Sequence, residues 1–506
     1  MRRSLALLPL ALAAFAAADK PITITFLDTN DLHAHIAPFT IRGKSYGGYA
    51  RLATIVRQTR ERDKNVLLLN AGDVFQGTLF FNTYEGLADA AVLTAMGMDA
   101  GTLGNHEFDR GPEVLGTYVA AAGWPIVDAN LDLQRERFLR GKIAKYVVLQ
   151  VGGEKVGIVG ADTPDAPNIS SPGPNIEFRD VVPSVQAAVD ELTAAKVNKI
   201  VVVTHIGYEE DQRMVKGLHD VDLVVGGHSH TPLGTPELPG WQKSAGPFPT
   251  VVKDLKGVDV PIVQAYEWGK VIGRITLEFD GAGKVKAVKD AKAVVVDDTI
   301  PEDRKTKALV EAFQRPILAV QNAPVGETKV PLGREREDGD SVMADVMADA
   351  MQAKTASFGS VVAFVNAGGV RSGLDVGPIT YGQAITVMPF NNTLTLLDLT
   401  GAELKAALIQ GAHSGGLLLP SAGTSYTVQG DSLTAIIAGQ PLDPAKVYRC
   451  TFLNFSANGG DSLFVLRDSK GRRVDTGLLD IDALVDYLKA HSPLDTGPAG
   501  RVRVSR

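Results

Sequence analysis

The sequence contains a single cysteine, Cys450, among its 506 residues. A chain with one cysteine has no internal disulfide, so its stability must come from packing. Cys450 lies in the apolar run VYRCTFLNF, where a thiol is more typical of a core residue than of a nucleophile.

The chain also lacks a basic tail or stripe and any low-complexity tract. Its formal net charge is −7, which argues against a nucleic-acid polymer as the main partner. A small anionic substrate remains open, because a local cationic site can exist in an acidic protein. With 506 residues the chain is too long for one compact core, and we expect more than one domain.

Long apolar runs are absent except at the start, MRRSLALLPLALAAFAAADK. Two arginines precede an apolar run there, and Ala16 and Ala18 form an A-x-A cleavage signal. We therefore expect a signal peptide over residues 1–18 and an exported protein, periplasmic, extracellular or at the cell surface. The alternative is an uncleaved membrane anchor, although the run is short for a bilayer span. No later run is long enough for a transmembrane segment.

Five apolar runs that resemble strands each end in polar residues. The runs are ITITFLDTNDLHAH, NVLLLNAGDVFQG, AGTLGNHEFDRG, KIVVVTHIGYEE and DVDLVVGGHSH. The polar residues at their ends are Asp28, Asp31, His33, His35, Asp73, Asn105, His106, His205, His228 and His230. Helical stretches such as GGYARLATIVRQTRER lie between the runs, which indicates an α/β domain. Because ligands bind beyond the carboxyl ends of strands in such sheets, we expect these ends to meet at one site.

The chemistry of these side chains favours a metal centre. A lone histidine near a strand end is more often a hydrogen-bonded loop residue, but seven of the nine histidines fall before residue 231. Imidazole, carboxylate and amide groups without a thiolate suit Zn, Mn, Co or Fe(II) better than Ca or Mg. Seven groups are too many for one ion and match two ions that share a carboxylate. Such a pair can activate a water and stabilise an in-line displacement at phosphorus.

The pattern changes near residue 300. The stretch IPEDRKTKALVEAFQRPILAVQN has helical spacing and ends at APVGET, which predicts a linker helix over 301–323 and a second domain over 324–506. Within that domain, Thr400 and Glu403 form a capping box before an amphipathic helix. Three loops, NAGGVRSG, MPFNNTL and NFSANGGDSLF, carry polar and aromatic residues. Judged on the residues alone, such loops are usually structural.

Several motifs taken together resemble a known family. They are D-x-H at 31–33, GD ending at Asp73, GNHEFD at 104–109, TH at 204–205 and GGHSH at 226–230. This set resembles the calcineurin-like metallophosphoesterases and, more specifically, the secreted 5′-nucleotidase family. The resemblance implies an N-terminal catalytic domain over 19–300, built as a β-sandwich flanked by helices (αββα). It also implies a second α/β domain over 324–506 that binds the nucleotide.

The resemblance further implies a role for each motif residue. Asp31, His33 and His230 would hold one metal ion. Asn105, His205 and His228 would hold the other, and Asp73 would bridge the two. His106, supported by Asp109, would be catalytic and donate hydrogen bonds to the phosphoryl oxygens. Asp28 and His35 stay outside the ligand set, with His35 interpreted as a neighbour of the ligands or as merely exposed.

The three C-terminal loops gain a function from the same resemblance. Phe390 and Phe455 would stack on the two faces of the base, a grip that suits any purine or pyrimidine. The other residues expected to bind substrate are Asn366, Gly368, Arg371, Asn392 and Asp461, with Asp461 on the ribose and Arg371 on a phosphate. One departure stands out: Val342, Met343 and Ala344 replace the usual Asn-x-Gly. The nearby Arg334 and Arg336 miss the expected arginine position, which leaves their phosphate-binding role open.

The sequence thus predicts an exported phosphohydrolase with two divalent ions (Zn, Mn or Co) that removes phosphate from nucleoside 5′-phosphates. Cleavage of UDP-sugars is a further activity that the resemblance implies. The alternatives are a 2′,3′-cyclic-nucleotide phosphodiesterase with 3′-nucleotidase activity, a nucleotide pyrophosphatase, or a nucleotide-scavenging binding protein without catalysis.

Overall fold

The computed structural model describes residues 21–239, 241–336 and 339–505. The predicted signal peptide at 1–18 lies outside these residues. Within the described ranges, no helix is both long enough and apolar enough to cross a membrane.

Two β-sheets form the centre of the N-terminal half. The first has five strands, in the order Val285–Val295, Val271–Phe279, Ile22–Thr29, Val66–Ala71 and Ala100–Thr102. The second has six, in the order Thr250–Lys253, Asp259–Gln264, Leu223–Gly226, Ile200–His205, Glu154–Asp162 and Tyr146–Val151. Two small ribbons pair Phe39–Ile41 with Lys44–Tyr46 and Leu131–Asp132 with Glu177–Phe178.

Each sheet contains a set of adjacent strands that run parallel to one another. In the first sheet, Ile22–Thr29 is parallel to Val66–Ala71, which is parallel to Ala100–Thr102. In the second sheet, Ile200–His205 is parallel to both of its neighbours. These strands are apolar because they are covered on both faces. Their carboxyl ends, where the predicted ligands begin, therefore collect at one edge of the sandwich.

The two sheets pack face to face between two layers of helices. Ile24 and Phe26 of the first sheet share one buried cluster with Val203 and Val225 of the second. The outer helices are Tyr49–Arg62, Leu79–Tyr84, Leu87–Met96 and Gly111–Ala121 on one side, and Val181–Ala194 and Tyr208–Val215 on the other. The short helix Ala166–Ile169 instead contacts the 3₁₀ turns Asn105–Phe108 and Gly460–Ser462. The predicted αββα architecture is confirmed.

The C-terminal half is a second α/β unit. Its five-stranded sheet has the order Leu418–Pro420, Val362–Asn366, Val447–Leu453, Thr393–Thr400 and Arg473–Leu479. A four-stranded sheet has the order Gln440–Pro441, Ser432–Ile437, Ser425–Gln429 and Val502–Ser505, and a two-stranded sheet pairs Pro324–Thr328 with Gly377–Thr380. The helices of this half are Val342–Thr355, Tyr381–Val387, Gly401–Ser414, Asn454–Ala457, Phe464–Asp468 and Asp480–His491, with short 3₁₀ turns at Ala356–Phe358, Ala367–Gly369 and Gly460–Ser462. A further 3₁₀ turn, Asn105–Phe108, belongs to the N-terminal half.

Two helices, Arg304–Gln314 and Leu318–Gln321, connect the halves. Asp303 caps the first helix, and its carboxylate accepts hydrogen bonds from the backbone amides of residues 305 and 306. These amides have no carbonyl partner within the helix, so the cap stabilises the first turn. The first helix packs on the helices Tyr49–Arg62 and Leu87–Met96. The connection is therefore fastened to the N-terminal half.

Two local predictions in the C-terminal half are confirmed. Thr400 and Glu403 exchange the hydrogen bonds of a capping box at the start of the helix Gly401–Ser414. Cys450 is fully buried in the strand Val447–Leu453, and burial raises the pKa of its thiol above the usual range. The cysteine is a core residue.

Candidate metal centre and active site

The predicted ligands lie on tight turns directly after the buried strands. Backbone φ is positive at five of them: Asp31 (49°), His33 (47°), Asp73 (53°), His228 (77°) and His230 (48°). Non-glycine residues adopt this left-handed conformation at a cost, and such residues cluster at functional sites. The turns point these side chains together into the interior instead of continuing the strands.

Four of these residues form a first cluster: Asp31, His33, Asp73 and His230. One potential ligand atom from each lies within 4.8 Å of the others. The Nε2 atoms of His33 and His230 are 3.1 Å apart, and His230 Nε2 is 3.1 Å from Asp31 Oδ1. All four side chains are buried.

A second cluster contains Asp73, His205 and His228, and again one potential ligand atom from each lies within 4.8 Å of the others. His205 Nε2 lies 3.1 Å from Asp73 Oδ2. Asn105, at the neighbouring strand end, is buried, and its Oδ1 has no hydrogen-bond partner among the described residues. Any side chain at the preceding Gly104 would collide with the carboxylate of Asp73 and with Nε2 of His205. Asp73 belongs to both clusters, the position expected of a bridging ligand.

The hydrogen bonds of the histidines fit metal binding. His33 Nδ1 lies 2.8 Å from the carbonyl oxygen of Phe75, and His205 Nδ1 lies 2.7 Å from that of Ala71. A carbonyl only accepts, so each Nδ1 carries the proton and each Nε2 presents a lone pair to the centre. The Nε2 atoms of His33 and His230 lie 3.1 Å apart, and a metal ion bound by both nitrogens would remove the repulsion between their lone pairs. The buried, unpartnered amide oxygen of Asn105 fits the same interpretation.

Asp28 and His35 lie near this centre but in neither cluster. Asp28 is fully buried against Gly273, and burial raises its pKa to about 7. The ring of His35 stacks on Trp268 with 4.5 Å between centroids, and its Nδ1 lies 2.8 Å from the carbonyl oxygen of His33. His35 is thus buried beside a predicted ligand and is not merely exposed.

His106 and Asp109 form the predicted pair beside the clusters. His106 Nδ1 is 2.7 Å from Asp109 Oδ2, and the His106 ring is 5.3 Å from that of His33. Burial disfavours the charged ring, but the carboxylates of Asp109 and Asp73 outweigh this effect and raise the pKa of His106. Gln76 and Ser170 also donate to Asp109, at 2.9 and 2.6 Å. The carboxylate is therefore held from three sides.

The C-terminal half contributes residues to the same place. Arg371 Nη2 lies 3.4 Å from His33 Nε2, and its guanidinium lies 5.7 Å from the ring centroid of Phe390. Phe390 in turn stacks on His106, with centroids 5.4 Å apart and planes 20° from parallel. Arg371, which is predicted to bind a phosphate, and Phe390, which is predicted to stack on the base, thus lie beside the Asp/His clusters.

The remaining predicted substrate residues form a neighbouring group. Asn366 Nδ2 donates to Asp461 Oδ2 at 2.7 Å, and Gly368 lies beside both side chains. The ring of Phe455 covers Gly460, next to Asp461. Asn392 is held through its backbone by Asp480. Burial raises the pKa of Asp461, against the hydrogen bond from Asn366.

A cavity of about 740 Å³ lies on the other flank of the first cluster, between the two halves. His35, Trp268, Arg334 and Arg336 are among its lining residues. The guanidinium of Arg334 donates to the carbonyl oxygen of Arg371. Arg334 therefore contacts the backbone of Arg371, the residue that is predicted to bind a phosphate.

Two glutamates at this site were missed by the sequence analysis. Glu107 is buried, and its carboxylate accepts hydrogen bonds from the amides of Asp73, Val74, Phe75 and Gly104 at 2.6–3.1 Å. The signal was present, because Glu107 lies inside GNHEFD. Glu267 accepts a hydrogen bond from Nδ1 of His230. No pattern in AYEWGK distinguishes it from other loop glutamates.

Comparison with known proteins supports this description. The family model of calcineurin-like phosphoesterases matches residues 24–232, and that of the 5′-nucleotidase C-terminal domain matches 324–468. The fold and the buried clusters therefore define a metallophosphoesterase joined to a 5′-nucleotidase C-terminal domain.

Individual relatives show which family of metallophosphoesterases the chain resembles over most of its length. The bovine 5′-nucleotidase is 33% identical over 92% of its own length and 96% of this chain. The crystal structure of a 5′-nucleotidase precursor from Thermus thermophilus is 41% identical, with a TM-score of 0.91 over 96% of this chain and 99% of that one. The trifunctional nucleotide phosphoesterase YfkN of Bacillus subtilis is 33% identical over 92% of this chain, which spans only 34% of that longer protein. The chain belongs to the 5′-nucleotidase family.

Proposed function

We propose that this protein is a 5′-nucleotidase, a metal-dependent hydrolase that releases phosphate from nucleoside 5′-phosphates. One observation carries the proposal. Arg371 and Phe390 of the C-terminal half meet His33 and His106 of the N-terminal half at the two Asp/His clusters. A phosphate bound at the clusters would thus lie within reach of the Arg371 guanidinium, and the Phe390 ring would lie beside it to contact the base.

The residues present would hold two divalent ions. Asp31, His33 and His230 suit one, Asn105, His205 and His228 suit the other, and Asp73 would bridge them. We propose Zn, Mn or Co, because the donors are nitrogen and oxygen without thiolate. When bound, such ions lower the pKa of water and neutralise charge on a phosphoryl group.

The protein's own side chains would then orient the phosphate. His106 would donate a hydrogen bond from Nε2 to a phosphoryl oxygen, while Asp109 holds its Nδ1 proton. The guanidinium of Arg371 would bind a second oxygen through paired N–H groups. Both donors are placed before the substrate arrives, so little reorganisation is needed as charge develops.

We propose that the nucleoside lies against the C-terminal half. Phe390 and Phe455 would stack on the base, Asp461 would accept from the ribose hydroxyls, and Asn366 would contact the base. Gly368 and Asn392 would complete the wall of this pocket. Stacking on an aromatic ring does not depend on the identity of the base, so we expect hydrolysis of several nucleoside monophosphates.

The division of the chain and its destination belong to the same proposal. Residues 1–18 would direct export and be removed, 19–300 would form the catalytic domain, and 324–506 would carry the nucleotide. Mass spectrometry of the mature protein tests the first point: a chain that keeps Met1 to Ala18 contradicts it.

A substrate panel tests the activity. Metal-free protein would be reconstituted with Zn, Mn or Co and assayed for product release from AMP, UDP-glucose, NAD and 2′,3′-cyclic AMP. We expect AMP to be the best substrate. Preference for UDP-glucose or NAD would favour a pyrophosphatase, preference for the cyclic ester a phosphodiesterase, and AMP binding without turnover a scavenging protein.

His106→Ala is the matched control. Because His106 contacts the phosphate in this proposal and no metal ion, the variant should keep its metal content and lose about 100- to 1,000-fold in kcat. Metal content is measured by mass spectrometry of the digested protein. Loss of metal from the variant would make His106 a ligand and contradict the assignment.

A further inference from the structure

The first cluster contacts a segment that carries none of the predicted ligands. Residues 265–270, AYEWGK, follow the strand Asp259–Gln264. Tyr266 and Trp268 have φ of 62° and 58°, a conformation that costs energy for aromatic residues and needs support from the surrounding structure.

Hydrogen bonds tie this segment to Asp31. The amide of Trp268 donates to the carbonyl oxygen of Asp31 at 2.7 Å. Asn30 accepts from the amide of Ala265 at 2.6 Å and donates to the carbonyl oxygen of Tyr266 at 2.7 Å. The same side-chain nitrogen of Asn30 lies 2.5 Å from Asp31 Oδ2. The segment therefore holds the backbone of Asp31 directly, and it holds the Asp31 carboxylate through Asn30.

Glu267 joins the segment to His230. One carboxylate oxygen accepts from His230 Nδ1, and the other lies 2.6 Å from the ammonium of Lys270. A carboxylate on Nδ1 directs the Nε2 lone pair of His230 towards Asp31 and His33, and makes the imidazole a stronger donor to a metal ion.

Lys270 is itself enclosed by aromatic rings. Its ammonium lies 3.9 Å from the ring centroid of Tyr266, 4.9 Å from that of Trp268 and 5.3 Å from that of Trp241. The side chain of Lys270 is only 2% exposed. Cation–π attraction is stronger in such a desolvated setting. This cage holds the ammonium in place, and the ammonium holds one oxygen of Glu267, so the other oxygen stays on His230.

A third contact reaches His33. Trp268 stacks on His35, and His35 Nδ1 lies against the carbonyl oxygen of His33. The segment thus supports Asp31, His33 and His230, the three residues of the first cluster that the second does not share. In the second cluster, His205 is oriented by a different group, the carbonyl oxygen of Ala71.

We propose that Glu267 and Lys270 are positioning residues for the ion of the first cluster, and that they set its affinity through His230 without acting on the ion of the second. This inference rests on the two-ion centre of the proposed function. It does not depend on the substrate, because metal binding can be measured without turnover.

The test is metal binding to Glu267→Gln. A glutamine has one acceptor oxygen and cannot serve His230 and Lys270 together. Apo protein would be titrated with Mn²⁺ by calorimetry and with Co²⁺ by absorbance. We expect two ions in the wild type, and in the variant one ion bound about 10- to 100-fold more weakly while the other changes less than about threefold.

Two controls separate positioning from a loss of fold. Glu136→Gln changes another buried glutamate of the same half, one that accepts from the amide of Phe138 instead of a cluster residue, and it should leave both affinities unchanged. In a His230→Ala background, Glu267→Gln should add less than about a twofold change, because the ligand that Glu267 contacts directly has been removed.

Lys270→Met gives an independent test if Glu267→Gln folds poorly. It should weaken the same ion, and by less, since Glu267 still reaches His230. Equal weakening of both ions, unchanged affinities in both variants, or a full effect of Glu267→Gln without His230 would each overturn the inference. A wild type that binds two ions but does not hydrolyse AMP would contradict the proposed function alone.

Discussion

Arg371 Nη2 lies 3.4 Å from Nε2 of His33, although 338 residues separate the two in the sequence. This contact brings the C-terminal half to the metal clusters. Burial, and to a lesser extent the neighbouring Arg334, lowers the pKa of Arg371, while the carboxylates of Asp73, Glu267 and Asp31 act in the opposite direction. A buried guanidinium in this position is suited to bind an anion.

Arg371→Lys should lower kcat/KM for AMP about 100-fold. Lysine keeps the positive charge but loses the planar fork that binds two phosphate oxygens. Metal content should remain at the wild-type level, because Arg371 donates no ligand atom. Arg467→Lys, at an exposed side chain of the helix Phe464–Asp468, is the control. Wild-type kinetics of Arg371→Lys would show that Arg371 does not bind the phosphate.

Phe455→Ala should raise KM for AMP by about 5- to 100-fold, the range expected for loss of one base-stacking ring. Its rate on p-nitrophenyl phosphate, which has no base, should change little. Steady-state kinetics on the two substrates measure the split. Phe358→Ala alters an exposed ring, 41% accessible, and serves as control. Equal losses of activity on both substrates would mean that Phe455 stabilises the fold and does not stack on the base.

Glu107→Gln should lower the free energy of unfolding of the metal-free protein by about 1–3 kcal/mol. The carboxylate accepts from four backbone amides on the Asp73 and Asn105 turns, and the amide group of glutamine would face some of these donors. Urea unfolding of apo protein isolates this effect from metal loss. Glu61→Gln, whose side chain is 61% exposed, should be neutral, and an equally neutral Glu107→Gln would show that the turns hold without it.

Asp89→Asn should reduce the pH dependence of stability. Asp89 is fully buried, accepts from the hydroxyl of Tyr49 at 2.8 Å, and has a pKa raised by burial from 3.8 to about 8. Below pH 4 both folded and unfolded states hold the proton. Between pH 4 and 8 only the folded state keeps it, so this group costs about 1.4 kcal/mol per pH unit as the pH rises.

The measurement compares urea unfolding at pH 5 and pH 7. Wild type should lose about 2–3 kcal/mol more than Asp89→Asn over this interval. Asp431→Asn, at a side chain that is 98% exposed, should behave like wild type. Parallel losses in wild type and Asp89→Asn would show that Asp89 is ionised in the folded protein.

Much of the centre follows from local sequence. Apolar runs of β-branched residues predict buried strands, and a parallel arrangement brings their carboxyl ends together. His106 and Asp109 lie three residues apart on one 3₁₀ turn, so their contact is set by local geometry. The capping box at Thr400 is predictable for the same reason, since donor and acceptor lie within one helical turn.

Glu107 shows an intermediate case. Its place in GNHEFD could have drawn attention, but its role arises because its carboxylate reaches a second loop, at Asp73, 34 residues earlier. That distance depends on how two neighbouring strands pair. The register of the sheet, and not the motif, makes Glu107 the common acceptor of both turns.

By itself, the sequence determined the strand-and-turn pattern, the ligand chemistry and the His106–Asp109 pair, because each depends on residues close together in the chain. Only the tertiary structure decided that Arg371 meets His33, that His35 stacks on Trp268, and that Glu267 holds His230. His230 and Glu267 are 37 residues apart in the sequence, and His33 and Arg371 are 338 residues apart. The packing of two sheets and two halves brings them together, and no local periodicity encodes such packing.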